Sequence, residues 1–97
     1  MVRVRVRYSG RVQGVGFRAT ARALALAWPV TGWVRNEDDG TVLLECQGSA
    51  SAVEGLLGAV RERMGRNIRS EVVEPIEPIG VSGSGSGGAR CGRRVSC

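Results

Sequence analysis

Residues 2–8 alternate without a break: valine at 2, 4 and 6, arginine at 3, 5 and 7, then Tyr8. A two-residue period of β-branched and charged side chains predicts a strand with one face on a core and one in water. Val2, Val4 and Val6 are expected inside, and Arg3, Arg5 and Arg7 outside. A single solvated face points to an antiparallel-type sheet covered on one side. Ser9 to Gly16 is a glycine-rich turn, after which the period changes. Phe17, Ala21, Leu24 and Trp28 share one face of a helix predicted over Phe17 to Trp28, which Pro29 stops. Val30 to Arg35 reads as a second strand and Thr41 to Gln47 as its return. Between them lies the turn Asn36-Glu37-Asp38-Asp39-Gly40, whose Asp-Gly pair is a hairpin signal.

Further along, Ser51 and Glu54 have the spacing of a capping box. Val53, Leu56, Leu57, Val60 and Met64 follow at helical spacing, with Gly65 placed to close the helix as its left-handed terminator. Ile68 to Ile76 predicts a fourth strand ending at Pro75 and Pro78. Gly80 to Gly88 is a Gly/Ser stretch, so residues 80–90 are expected to form a flexible loop. The tail Ala-Arg-Cys-Gly-Arg-Arg-Val-Ser-Cys supplies a short edge strand or frays. The order β-α-β-β-α-β predicts an α+β, ferredoxin-like sandwich: two helices on one face of a four-stranded antiparallel sheet. At 97 residues the chain holds one domain, 1–97, with no room for a second core.

Charge adds a partner class. All 14 basic residues are arginine, against 9 acidic ones, for a net charge of +5. That balance favours anionic partners. Without histidine or lysine the chain has no imidazole base, Ser-His pair or Schiff-base amine, so its chemistry rests on arginine, amides, carboxylates or backbone. Cys46, Cys91 and Cys97 form no CxxC pair, and with no histidine beside them a zinc centre is not expected. Three cysteines and no signal-peptide pattern read as reduced thiols in the cytoplasm, with Cys91 and Cys97 close enough in sequence to pair on oxidation. No apolar run approaches a membrane span.

The segment Gly10-Arg11-Val12-Gln13-Gly14-Val15-Gly16-Phe17-Arg18 sits between a predicted strand and a predicted helix. Glycines let a backbone curl with its N–H groups inward, and a helix N-terminus adds partial positive charge. Arg18, in the first turn, brings a planar guanidinium able to grip two phosphate oxygens. The spacing Gly14-x-Gly16-x-x-Ala19 nominally fits a dinucleotide fingerprint. Its acidic partners, Glu37 to Asp39, fall in a hairpin turn, and the chain is too short for that fold. A P-loop needs a lysine. A tight turn beside a solvated arginine remains the plain alternative.

A second segment, Gly32-Trp33-Val34-Arg35-Asn36 followed by Asp39-Gly40-Thr41-Val42, joins the first at a spacing that closely resembles the acylphosphatase family over about residues 2–60. The resemblance implies a phosphate cradle in the backbone of Gln13, Gly14, Val15, Gly16 and Phe17. It further implies that Arg18 binds the phosphate and Asn36 holds the attacking water. Thr41, just past the hairpin, is by its position a candidate partner of Asn36. The resemblance also implies the ferredoxin-like fold, a small acyl phosphate as substrate, inorganic phosphate as product, and no cofactor or metal. After about residue 70 the resemblance thins, because members usually end in an apolar or aromatic strand.

The implied chemistry suits the residues present. An acyl phosphate loses a carboxylate, which departs without a general acid. Phosphoryl transfer needs position and electrostatic stabilisation, which backbone N–H groups and arginine supply. The expectation is therefore a monomeric cytoplasmic acylphosphatase without specific nucleic-acid or membrane partners. Alternatives are a ferredoxin-like module that binds phosphate or nucleic acid without catalysis, and an acylphosphatase-like domain of a carbamoyl phosphate-using maturation factor. Few aromatics and no RNP1-like string weigh against RNA recognition by base stacking.

Overall fold

The computed structural model describes residues 1–79 and the backbone of 95–96. The elements are β1 (Val2–Gly10), α1 (Phe17–Ala25), β2 (Thr31–Asn36), β3 (Val42–Gly48), α2 (Ala50–Met64), a 3₁₀ turn (Gly65–Asn67), β4 (Ile68–Ile76) and β5 (Val95–Ser96). The sheet order is β4-β1-β3-β2-β5. The first four strands pair antiparallel, while β5 adds a short parallel edge to β2, Gly32 opposite Val95. This is the predicted sandwich, with the edge strand that the tail could supply. The expected Gly/Ser loop and the Cys91–Cys97 pairing lie outside the described residues.

Both helices cover one face. Val6, Tyr8, Val34, Val42, Leu44 and Cys46 from the sheet meet Phe17, Ala21 and Ala25 of α1 and Val53, Leu56 and Val60 of α2. The Tyr8 and Phe17 rings lie 4.9 Å apart in a tilted pair. Helix α2 carries the apolar stripe its spacing predicts, from Val53 to Met64. Just beyond the end of α1, Trp28 rests on Gly55 of α2. A β-carbon there would overlap the indole ring, so that seat requires glycine.

Four local expectations need correction. Helix α1 stops at Ala25, and Leu26, Ala27 and Trp28 continue only as i→i−3 turns, so Leu24 and Trp28 end partly buried while Ala25 fills the core position. The cap of α2 is Ser49, whose Oγ accepts from the Ala52 N–H at 3.1 Å; Ser51 and Glu54 lie inside the helix and form no capping box. Gly65 keeps right-handed angles, φ −54°, because the chain tightens into the 3₁₀ turn instead of reversing.

The fourth concerns β1. Val2 is exposed, whereas Arg3, expected in water, is only 5% exposed. The cause is its setting in the interior of the sheet, opposite Gln47 on β3. Arg3 Nη2 lies 2.9 Å from Glu45 Oε1, and Arg3 Nη1 donates to Gln47 Oε1 at 3.3 Å. Arg5 Nη2 meets the other Glu45 oxygen at 2.8 Å. The Gln47 amide then accepts from the Ile79 N–H at 2.7 Å and donates to its carbonyl at 3.3 Å. The main chain after β4 thus packs over the Gln47 end of the face that alternation assigned to solvent. A charge there survives burial because each fork of the guanidinium is paired.

Candidate active site

Strands β1 and β2 are each antiparallel to β3, so they run in the same direction and end at the same edge. Strand β4 begins there, with Ile68 opposite Gly10. The loop before α1, the β2–β3 hairpin and the 3₁₀ turn are therefore gathered at one end of the sheet.

In the first loop Val12 is fully buried and pins the chain to the core. Gly14 and Gly16 have φ of +78° and +81° with open space around each α-carbon. Glycine is needed there for conformation, since side-chain-bearing residues rarely adopt it. These two left-handed turns aim the loop into α1, whose cap is Gly16 itself. The cap has no side-chain hydrogen bond, and the first turn carries no acidic residue. Among the described residues, nothing accepts from the main-chain N–H groups of Gln13, Gly14, Val15 or Gly16. A row of free N–H groups running into an uncapped helix start is a concentrated site of partial positive charge.

Arg18 stands in that first turn, half-buried, and none of its side-chain nitrogens is paired with a described residue. Asn36 is the last residue of β2, exposed, two positions beyond buried Val34 and opposite buried Val42. Alternation therefore turns its side chain to the helix-bearing side of the sheet, the side on which α1 begins. The structure brings the Gln13–Phe17 loop, Arg18 and Asn36 to one end.

Thr41 is placed otherwise. Its hydroxyl donates to Asp39 Oδ1 at 2.6 Å and accepts from Arg7 Nη1 at 3.0 Å, so it braces the hairpin and makes no hydrogen bond to Asn36. The Thr41 hydroxyl and N–H hold the Asp39 carboxyl below its usual range. Arg35 lies 4.8 Å from the Trp33 ring centre and pairs with Glu37 at 2.6 Å.

One participant escaped sequence reasoning: the side chain of Gln13. Its Nε2 donates to the carbonyl of Glu37 at 2.8 Å and to that of Thr41 at 2.9 Å. The amide thereby fastens the loop to the hairpin on both sides of its turn. No local pattern announces this, because the partners lie 24 and 28 positions away. Among the described residues no group of three or more His, Cys, Asp or Glu is placed to hold a metal ion.

The acylphosphatase family model matches residues 4–82. An acylphosphatase of Salinibacter ruber is 53% identical over 72 residues, 74% of this chain and 75% of that protein. The crystal structure of acylphosphatase from Bacillus subtilis superposes with a TM-score of 0.77 at 28% identity, covering 99% of this chain and 97% of that one. Full-length HypF, solved in a phosphate- and nucleotide-bound form, matches 80% of this chain with 11% of its own length, at a TM-score of 0.64 and 26% identity. The loop, the start of α1 and the hairpin all fall within the matched span, and on these grounds the chain belongs to the acylphosphatase family.

Proposed function

We propose that Arg18, Asn36 and the Gln13–Phe17 loop carry the acyl-phosphate hydrolysis that family membership assigns to this chain. The observation that supports these roles most directly is the start of α1, which has no side-chain cap and where, among the described residues, neither the loop N–H groups nor the Arg18 guanidinium has a partner. Such a site suits a compact dianion. The loop N–H groups hold the phosphate oxygens, and the Arg18 guanidinium forms paired charge-assisted hydrogen bonds to two of them.

Water oriented by the Asn36 amide attacks phosphorus in line with the acyl oxygen. The new P–O bond forms as the bond between phosphorus and the acyl oxygen breaks, and the electron pair leaves on the carboxylate. The water proton passes to a phosphate oxygen, so the dianionic substrate and water give a carboxylate and dihydrogen phosphate. Asn36 positions without acting as a strong base, and the low basicity of the carboxylate removes any need for an acid. Charge on the equatorial oxygens meets donors already in place.

The substrate is a small molecule. The same reading has a monomer in the cytoplasm, supported by cysteines with no CxxC pair and an odd count. No described helix is long and apolar enough to cross a membrane. The match to HypF favours one second reading, an acylphosphatase-like unit serving a larger phosphate-using protein. The deciding experiment is hydrolysis of a generic acyl phosphate by the purified chain with EDTA present. Release of phosphate well above the spontaneous rate is expected. A rate no higher than the spontaneous one demotes the loop to an anion-binding site.

A further inference from the structure

The loop lies across the end of the sheet between two unlike flanks. On one side are the hairpin, the Gln13 hydrogen bonds and Asn36. On the other is the 3₁₀ turn leading into β4. There the Arg11 N–H donates to the Asn67 carbonyl at 2.9 Å. Gly10 sits so close that a β-carbon on it would lie 2.5 Å from the Asn67 oxygen and 2.6 Å from the Arg69 nitrogen. This packing gathers the backbones of Arg11, Arg66 and Arg69 beside the start of the cradle. All three residues are exposed, and none forms an ion pair with a described residue. Arg3, Arg5, Arg7, Arg35 and Arg61 do have carboxylate partners. Arg18, Arg22 and Arg63 likewise have no described carboxylate partner, but Arg11, Arg66 and Arg69 are the ones beside the cradle on the flank opposite Asn36.

In-line displacement gives that asymmetry a meaning. The attacking and leaving oxygens stand on opposite sides of phosphorus. With water on the Asn36 flank, the acyl group departs toward the arginines. We propose that Arg11, Arg66 and Arg69 form a subsite for the acyl part of the substrate, selecting acyl phosphates whose acyl chain bears a second anionic group. This rests on the roles given above to Arg18 and Asn36. A single exposed ion pair contributes little, but three cations carried on one flank of a site attract an anionic substrate and favour its productive orientation. The selection therefore falls on kcat/KM and weakens with salt.

The test compares succinyl phosphate with butyryl phosphate, acyl chains of equal length with and without a terminal carboxylate. The Arg66→Ala/Arg69→Ala variant should lower kcat/KM for succinyl phosphate about tenfold and leave butyryl phosphate within about twofold. Arg11→Ala should do the same to a smaller extent, and added salt should produce the same pattern in the wild-type protein. Ala50→Glu, a loss of one net positive charge on exposed Ala50 at the far end of the sheet, should change neither rate. Butyryl phosphate also serves as the check on folding. Equal losses on both substrates, or none on succinyl phosphate, overturn the subsite while leaving the hydrolase reading intact. A wild-type protein inactive on both overturns the hydrolase reading and the subsite with it.

Discussion

The side-chain amide of Gln13 stands 2.8 Å from the main-chain oxygen of Glu37, the residue that follows Asn36. Its other hydrogen bond reaches Thr41 at 2.9 Å, so both amide protons are committed to the hairpin. A single side chain therefore sets the separation between the loop that would hold phosphate and the residue that would hold water.

Replacing Gln13 with alanine removes two hydrogen bonds and should cost about 2 kcal/mol of stability. Its kinetic effect should fall on kcat, by about tenfold or more, with a smaller change in KM, because alignment matters most in the transition state. Gln13→Glu keeps the shape but turns an oxygen toward a carbonyl, and should rescue nothing. Steady-state kinetics beside a urea melt separates the two effects. An unchanged kcat in a destabilised Gln13→Ala protein would show that the amide only holds the fold together.

Arg18 and Asn36 should fail differently. Arg18→Ala removes a group that touches phosphate before and during reaction, so it should damage substrate binding and turnover together, by roughly 3 kcal/mol or more. Asn36→Ala should lower kcat by about 10²-fold or more and leave phosphate affinity nearly intact. Thermal melts provide the binding readout, since phosphate that binds only the folded state raises Tm. Phosphate should stabilise the wild type and Asn36→Ala, and stabilise Arg18→Ala far less, with chloride as the ionic control. The reverse pattern would exchange the two roles.

Removing Glu45 should be among the most damaging single changes away from the site. It leaves the Arg3 guanidinium buried, with Gln47 as its remaining side-chain partner, and the loss should be about 3–5 kcal/mol. KM should not move in whatever fraction stays folded. A urea midpoint for Glu45→Ala close to wild type would mean that water reaches Arg3 easily.

Alkaline pH should unfold the protein through Cys46. Burial pushes its thiol from 9.0 up to about 11. The unfolded chain thus loses this proton before the folded one does. The stability contributed is complete below about pH 9 and is lost as pH rises toward 11, about 2–3 kcal/mol in all. Tyr8, buried nearby in the core, is raised in the same direction, chiefly by desolvation, and adds to the loss at higher pH. Cys46→Ala should flatten the part of the stability curve between pH 9 and 11, and an unchanged slope there would assign the loss to other groups.

Much of the fold was legible in side-chain period. The alternation of residues 2–8 and the stripe from Val53 to Met64 each encode one element with one buried face, and both appear where expected. What alternation cannot encode is the cover on the second face. Arg3 reads as solvated until Ile79 is seen against Gln47, a contact between residues far apart in sequence. The cap of α2 was misread because Ser49 and Ser51 are both capping residue types, and only backbone angles tell them apart. In the site, Arg18 stood out as a candidate because glycines and a helix start frame it locally, whereas Asn36 was marked only by the resemblance to the acylphosphatase family. The Gln13 side chain was not legible, since its hydrogen bonds exist only once loop and hairpin meet.

The place of β1 inside the sheet has a kinetic consequence. Arg3 stands opposite Gln47 on one side and Ile76 on the other, so the first strand is flanked by the third and the fourth. The β2–β3 hairpin closes over a short turn and is available early. Seating β1 must wait until long stretches of chain are drawn together, at an entropy cost that its own contacts repay only late. The end of the sheet that would hold phosphate is bounded by the ends of β1 and β2 and the start of β4. It is therefore among the last parts of the molecule to acquire its shape, and an anion filling it would slow unfolding more than it speeds folding.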